Sequence, residues 1–230
     1  MRASFYGTTT NGGTDPHNDG TVYDVREDGT EHVLHSFTFS PDGGAPKSGL
    51  TNLLNESLYG TTFIGGDHGF GTVYEMKIDG TEHVLYSFKC NIKVCNDSAN
   101  PEGDLTVLND KLYGTTLFGG TDYKGIVFEV HSDGSERIVY SFTGAPDGDR
   151  PHGGLAQLNG SLYGTTELGG ANALGCVFKV NTDGTESVLY SFKGASNSAG
   201  SAPLAGLTVL NGLLYGVTSR GRSPRRRNNF

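Results

Sequence analysis

The sequence predicts an all-β fold: a β-propeller, or an arc of one, with about four four-stranded blades and partial terminal strands. Glycine makes up 36 of the 230 residues, and helix-forming runs are sparse, which favours short strands joined by tight turns. Tyr-Gly and Asp-Gly dipeptides recur with a period of about 50 residues, which is the size of a four-stranded propeller blade. Since one such unit cannot bury both faces of its sheet, neighbouring units are expected to stack around an axis.

The repeat keeps one register over almost the whole chain. Its clearest marker is Tyr-Gly, at Tyr6-Gly7, Tyr59-Gly60, Tyr113-Gly114, Tyr163-Gly164 and Tyr215-Gly216. We predict one repeat domain over 1–218, with repeats at about 4–48, 49–103, 104–153, 154–205 and, in part, 206–218. The arginine-rich residues 219–230 are predicted to form a basic, disordered tail.

Each repeat divides into four strand-like runs, which in the second repeat are 49–54, 58–62, 72–76 and 82–88. Asn-Gly and Asp-Gly turns follow the first and third runs in several repeats, as in β-hairpins. In the fourth run, Val84, Tyr86 and Phe88 are predicted to share one face by their alternate spacing. The glycine in each second run is costly in a strand, so a ring or another backbone is expected to pack closely against it.

Composition and charge argue against two classes of partner. The net charge is −8 even though five arginines lie near the C-terminus, and an acidic body argues against nucleic acid. No apolar run approaches the roughly 18–20 residues of a membrane span. No export signal is visible, so the protein either lacks one or begins inside a longer chain. It is expected to be a monomer or part of such a chain.

The cysteines and one histidine have structural interpretations. Cys90 and Cys95 lie in one polar loop, where a local disulfide in an oxidising compartment is favoured over a two-cysteine metal site. Cys176 occupies a strand position that other repeats fill with Thr or Ile. His35 stands where the other repeats carry Tyr, so it is predicted to fill a packing position.

The complete pattern within 58–88 resembles the GloVer tandem repeat of bacterial "choice-of-anchor" proteins. It runs Leu-Tyr-Gly-Thr-Thr, Gly-Gly, Gly-Thr-Val-Tyr, Asp-Gly-Thr-Glu and Val-Leu-Tyr-Ser-Phe. The resemblance implies a bacterial protein that is exported or displayed on the cell surface, with no established enzymatic activity. The pair Cys90 and Cys95 also resembles a cysteine pair that is sometimes found between such repeats. The layout is similar to that of kelch propellers, although the chain has no tryptophan.

Any binding site is expected on the rim that carries the longer, more variable links. Three aspartates there precede linker prolines at a constant spacing: Asp42, Asp97 and Asp147. Carboxylates of this kind suit Ca²⁺ or sugar hydroxyls. The favoured alternative is that each aspartate caps its own turn, because the motif recurs with the repeat.

Groups that do not repeat are better candidates, because a ligand site needs an asymmetric set. They form three clusters: Asp15, His17 and Asp19; Asp67 and His68; and Asp149, Arg150 and His152. The first has metal-ligand chemistry at alternate positions. The third suits anion binding or acid–base chemistry.

The function that the sequence favours is a non-catalytic extracellular or surface module that binds a glycan or protein on the long-loop rim. One alternative is a propeller enzyme, either a carbohydrate-active hydrolase or a metal-assisted lyase, which needs unique carboxylates or histidines converging near the axis. Another is a structural fragment with no ligand. No cofactor is expected, and Ca²⁺ is the one ion that the recurring aspartates would suit.

Overall fold

The computed structural model describes residues 4–52, 57–90, 98–194 and 200–221, which form twenty β-strands and contain no helix. None of these residues therefore belongs to a helix that could cross a membrane. From the N-terminus the strands are β1 (Ser4–Thr9), β2 (Thr21–Arg26), β3 (Glu31–Ser36), β4 (Thr51–Asn52), β5 (Ser57–Thr62), β6 (Thr72–Lys77), β7 (Glu82–Ser87), β8 (Ser98–Pro101), β9 (Thr106–Leu108), β10 (Lys111–Gly119), β11 (Ile126–Val130), β12 (Glu136–Ser141), β13 (Gly148–Asp149), β14 (Ala156–Leu158), β15 (Ser161–Thr166), β16 (Leu168–Gly169), β17 (Cys176–Val180), β18 (Glu186–Ser191), β19 (Thr208–Leu210) and β20 (Leu213–Tyr215).

The strands of the described residues form six antiparallel sheets, one for each of the five predicted repeats and a small additional one, β13-β16. The second and fourth repeats give four-stranded sheets in the orders β4-β5-β6-β7 and β14-β15-β17-β18. In the third repeat β9 pairs with β10, which continues to β11 and β12. The first repeat contributes β1-β2-β3 and the last contributes β19-β20. The all-β fold and the sequential order of the four runs are therefore confirmed.

Three short strands, β8, β13 and β16, were not predicted. They arise where a linker pairs with the end of the next repeat's second strand: β8 pairs with β10, and β13 pairs with β16. The sequence does not mark these strands because only two to four residues of an otherwise irregular linker take part. The pairings join each linker to the repeat that follows it.

The predicted alternation of the fourth run is interrupted by a β-bulge. In the second repeat Tyr86 pairs with Val73 and Val84 pairs with Tyr74, so Leu85 has no partner across the strand pair. Val84 and Tyr86 therefore do not share one face, because the extra residue shifts the alternation by one position. The same register shift occurs in the other three complete strand pairs of this kind.

A ring covers the glycine of the first four Tyr-Gly pairs, as predicted, whereas Gly216 of the fifth pair faces Leu207. Gly164 lies opposite Phe178 and Gly114 lies opposite Phe128 on neighbouring strands. A side chain at either glycine would collide with the facing ring. The small residue is therefore needed so that an aromatic ring can approach the strand closely.

Aromatic pairs join successive sheets. The phenylalanine of the first three Ser-Phe motifs meets a ring on the next repeat's third strand at centroid distances of 4.9–5.2 Å, in the pairs Phe37–Tyr74, Phe88–Phe128 and Phe142–Phe178. In the described part of the chain, Phe192 meets no such ring. A cavity of about 220 Å³ lies beside Phe192, between the β14–β18 sheet and the β19–β20 hairpin.

The first strands of successive sheets also touch. Thr51 donates a hydrogen bond to the carbonyl of Leu105, and Thr106 donates one to the carbonyl of Leu155. Cys176 is fully buried in β17 with a free thiol, as its strand position predicts. His35 packs edge-on against Phe37, in agreement with its predicted packing role.

Candidate functional site

The backbone of each linker fixes the residue that precedes its proline. Arg150 donates its backbone N–H to the carbonyl of Lys124 and accepts from the N–H of Glu167. Its φ is 57°, and Ala45 and Ala202, which also precede linker prolines, have φ values of 50° and 51°. This left-handed conformation is costly for residues other than glycine. It recurs because each linker is held between its own repeat and the next.

The residue after each linker proline differs between repeats. These residues are Lys47, Glu102, His152 and Leu204. Because the linkers share one backbone conformation, they present a single, non-repeating row of side chains. Such a row has the asymmetry that a ligand site requires.

Three members of this row form a hydrogen-bonded chain. Lys47 donates to Oε1 of Glu102, and the other oxygen of Glu102 lies 2.6 Å from Nδ1 of His152. The second ring nitrogen of His152, Nε2, lies 3.1 Å from Oε2 of Glu167. Arg150 approaches the same oxygen of Glu167 at 4.0 Å. The chain therefore links residues from three successive linkers and one strand end.

The two carboxylates favour the charged form of His152. Burial lowers the pKa of His152, but the hydrogen bonds and charges of Glu102 and Glu167 outweigh burial and raise it above its usual value. For Glu102, burial raises the pKa, but the hydrogen bonds with His152 and Lys47 together outweigh burial, so the net shift of the pKa is downward. Both ring N–H groups of an imidazolium are satisfied here.

An aromatic surface adjoins this chain. Tyr123 is 50% exposed and stacks on Phe118 at a centroid distance of 5.2 Å with an interplanar angle of 17°. The guanidinium of Arg150 lies 5.7 Å from the centroid of Phe118. Lys124 and Asp149 form an ion pair with a distance of 2.9 Å between Nζ and Oδ2. Lys124 directly follows Tyr123 in the chain, and Asp149 directly precedes Arg150.

We call this group the linker-face cluster. It comprises Lys47, Glu102, Phe118, Tyr123, Lys124, Asp149, Arg150, His152 and Glu167. The structure thus places all three members of the predicted Asp149, Arg150 and His152 group within it. Its chemistry combines an exposed aromatic face with fixed donors and acceptors.

The first predicted cluster is also brought together. Oδ1 of Asp15 accepts hydrogen bonds from the backbone N–H of His17 at 2.8 Å and from its Nδ1 at 2.9 Å. Asp15, His17 and Asp19 each offer one ligand atom, and these atoms lie within 4.8 Å of one another. Asp67 and His68, by contrast, are both exposed. Among the described residues, no hydrogen bond or ion pair joins His17, Asp67, His68 and His152 to one another.

The linker aspartates are engaged by their own turns. Asp42 accepts from the backbone N–H and the hydroxyl of Thr38 and bonds Nε2 of His35 at 2.8 Å. Asp147 accepts the equivalent bonds from Thr143 and a hydroxyl bond from Tyr140. Asp97 lies outside the described residues.

The predicted disulfide concerns Cys90 and Cys95. Cys90 is disulfide-bonded. Cys95 lies outside the described residues, so its pairing with Cys90 stays a prediction.

A buried charge cluster beside the turn between β11 and β12 was not predicted. Glu129 is almost fully buried and accepts hydrogen bonds from Lys111, Tyr113, His131 and Arg137 at 2.6–2.8 Å. Burial raises its pKa, and these donors outweigh burial and lower the pKa to about 2. The bond between Tyr113 and Glu129 has a counterpart in Tyr59 and Glu75. The Tyr–Glu bond therefore recurs between repeats, whereas Lys111, His131 and Arg137 are particular to the third repeat.

Sequence reasoning missed Lys47, Glu102, Phe118, Tyr123, Lys124 and Glu167. Aligning the linkers on their prolines would have found Lys47 and Glu102, because the following residue changes in every repeat. Glu167 stands where the first three repeats carry Thr, Phe and Leu after Tyr-Gly-Thr-Thr. Tyr123 and Phe118 are brought together only by the fold, and no sequence spacing indicates their stacking.

The fold and the linker contacts define a tandem-repeat protein built from antiparallel sheets. The chain belongs to the Gloeobacter/Verrucomicrobia repeat family, whose model matches residues 2–228. No curated protein sequence matches it. A similar solved structure is that of a Bacteroides fragilis protein provisionally named 6-phosphogluconolactonase, with a TM-score of 0.49 and 15% sequence identity. The match covers 94% of this chain and 67% of that one.

Proposed function

We propose that the chain is an extracellular repeat module that binds a glycan, without catalysis, on the linker-face cluster. The observation that carries this proposal is the exposed Tyr123 ring, backed by Phe118 and bordered by Arg150. Sugar rings stack on exposed aromatic faces, and fixed carboxylates and guanidinium groups pair with their hydroxyls. The linker-face cluster offers both kinds of contact side by side.

We further infer that the sheets are blades of a propeller arc. The contacts between first strands, from Thr51 to Leu105 and from Thr106 to Leu155, support a common inner edge. The aromatic pairs between successive sheets support a constant relation between neighbours. In a propeller the innermost strands surround an axis, and the long links gather on one rim. Small-angle X-ray scattering would test the arc against a linear stack, which gives a longer molecule.

Two features support the non-catalytic and extracellular parts of the proposal. Both ring nitrogens of His152 are bonded to carboxylates, so neither is free to transfer a proton to a ligand. The disulfide at Cys90 supports an oxidising compartment. The family resemblance points to the same location.

Calorimetric titration with a panel of neutral and uronate-containing oligosaccharides tests glycan binding. Tyr123→Ala should weaken binding at least tenfold, since the stacking of a sugar ring on the Tyr123 side chain is lost. This variant should fold normally, because Ala173 takes the same place in the next repeat with a φ of 54°, against 58° for Tyr123. Tyr190→Ala, on an exposed ring outside the linker-face cluster, is the control and should bind as the unmodified chain does. Glycan binding that Tyr123→Ala leaves intact would overturn the site, and the absence of any glycan binding would overturn the function.

A further inference from the structure

The loop between β1 and β2 carries an unbalanced buried charge at Asp19. The residue is only 8% exposed, and its Oδ2 atom is buried and accepts no hydrogen bond from the described residues. An ionised carboxylate in such a position is costly unless a cation or donors compensate it. The backbone of Asp19 is fixed, because its carbonyl accepts from the N–H of Ala45.

The equivalent position in the third repeat also carries a charged residue, and there the charge is balanced by the linker. Lys124 occupies that position and pairs with Asp149 of its linker at 2.9 Å. In the first repeat the facing linker residue is Gly44, which has no side chain; a Cβ placed on it would lie 3.2 Å from Oδ1 of Asp19. No ion pair joins Asp19 to a basic side chain in the described part of the chain. The linker therefore supplies no counter-charge to Asp19.

Two further ligand groups lie next to this carboxylate. Asp15 and His17 each offer one atom, and with that of Asp19 the three atoms lie within 4.8 Å of one another. Asp15 also orients the His17 ring through its 2.9 Å bond to Nδ1, as carboxylates do for metal-binding histidines. Ligand atoms around a tetrahedral zinc ion lie roughly 3.5 Å apart. A small movement of the loop would therefore bring the three ligand atoms to the distances that zinc requires.

We propose that Asp15, His17 and Asp19 form a binding site for a divalent transition-metal ion of the Zn²⁺ type. The ion supplies the positive charge that Asp19 lacks, and the imidazole favours Zn²⁺ over Ca²⁺. The site is independent of the linker-face cluster, because its ligands come from the β1–β2 loop. Bound metal would tie this exposed loop to the buried position of Asp19.

Titration of the untagged, EDTA-treated chain with Zn²⁺ tests the proposal by calorimetry and thermal unfolding. One equivalent should bind and raise the Tm, and Asp19→Asn and His17→Ala should each weaken binding at least tenfold. In EDTA, Asp19→Asn should melt at or above the temperature of the unmodified chain, since it removes an uncompensated buried charge. Lost binding in this variant would therefore not reflect misfolding.

His68→Ala is the matched control, because His68 is an exposed histidine in the corresponding loop of the second repeat. It should bind Zn²⁺ as the unmodified chain does. The proposal is overturned if no Zn²⁺ binds, or if Asp19→Asn retains the affinity of the unmodified chain.

Discussion

Gly164 and Phe178 lie directly opposite each other on β15 and β17, and the ring of Phe178 covers the glycine backbone. A Cβ on residue 164 would lie 2.5 Å from Cζ of Phe178, well inside van der Waals contact. Phe178 is fully buried and also meets Phe142 of the preceding repeat. The glycine therefore leaves room for the Phe178 ring, through which the third strand of this repeat packs against the preceding repeat.

We expect Gly164→Ala to lower the free energy of unfolding by about 1–3 kcal/mol, the usual cost of overpacking a core. Urea denaturation measures this loss. Shortening the facing ring in a Gly164→Ala, Phe178→Leu double variant should give a smaller loss than the sum of the single changes. Gly221→Ala, where nothing lies within 4 Å of the added carbon, is the control and should be nearly neutral.

The bulge residue of the fourth strand should contribute to the free energy of unfolding only where a following repeat covers it. Leu85 is 9% exposed, whereas Leu189 at the same repeat position is 51% exposed. Leu85→Ala should cost about 2–4 kcal/mol of unfolding free energy, as large-to-small core changes do. Leu189→Ala should cost less than about 1 kcal/mol. Equal losses in chemical denaturation would show that burial by the next repeat does not set the difference.

Ala173 is strained, because its φ is 54° in an exposed turn. Ala173→Gly should raise the free energy of unfolding by about 0.5–1 kcal/mol, since glycine adopts this conformation without a Cβ clash. Ala171→Gly tests the reverse case two residues earlier, where φ is not positive. That change should be neutral or destabilising, and a gain there would contradict the conformational explanation. Thermal unfolding of both variants is the measurement.

Glu82 should make the protein less stable as pH rises. Burial raises its pKa to about 7; His35 opposes this rise, and Asp42 adds to it. Between about pH 5 and 7 the folded state therefore keeps a proton that the unfolded chain has released. The stabilisation is complete below this range and is lost as the pH rises through 7.

Glu82→Gln should flatten this dependence, with a loss between pH 5 and 8 that is roughly 1–2 kcal/mol smaller than in the unmodified chain. Part of the slope should remain, because burial also raises the pKa of Glu186 to about 7 and the pKa of His152 is raised. Glu31→Gln, at the exposed equivalent position of the first repeat, is the control and should leave the slope unchanged. Urea midpoints at four pH values would decide this.

The sequence was enough to predict the repeat and its strands, because the same local signals occur several times. The ring over the glycine of the first four Tyr-Gly pairs was predictable for the same reason, since a glycine that recurs within a strand needs a close neighbour. The bulge at Leu85 was not, because the run 82–88 alternates well by itself. Only the register against β6 shows that one residue is extra.

The candidate site was predictable in part. Asp149, Arg150 and His152 stood out as non-repeated groups, and Asp15, His17 and Asp19 as possible ligands. The partners of His152 were not predictable from spacing, because Glu102 and Glu167 come from neighbouring linkers and strands far away in sequence. The burial of Asp19 likewise depends on the packing of the loop against the Gly44 linker.

The unfilled space beside Phe192 has a consequence for how the molecule opens. Phe37, Phe88 and Phe142 each have a ring from the following sheet, whereas Phe192 borders a cavity of about 220 Å³. In a chain of nearest-neighbour units, a unit that packs less completely against one neighbour frays first. Backbone amides of β17 and β18 should therefore exchange with deuterium sooner than those of β6 and β7, giving a gradient of protection along the repeats.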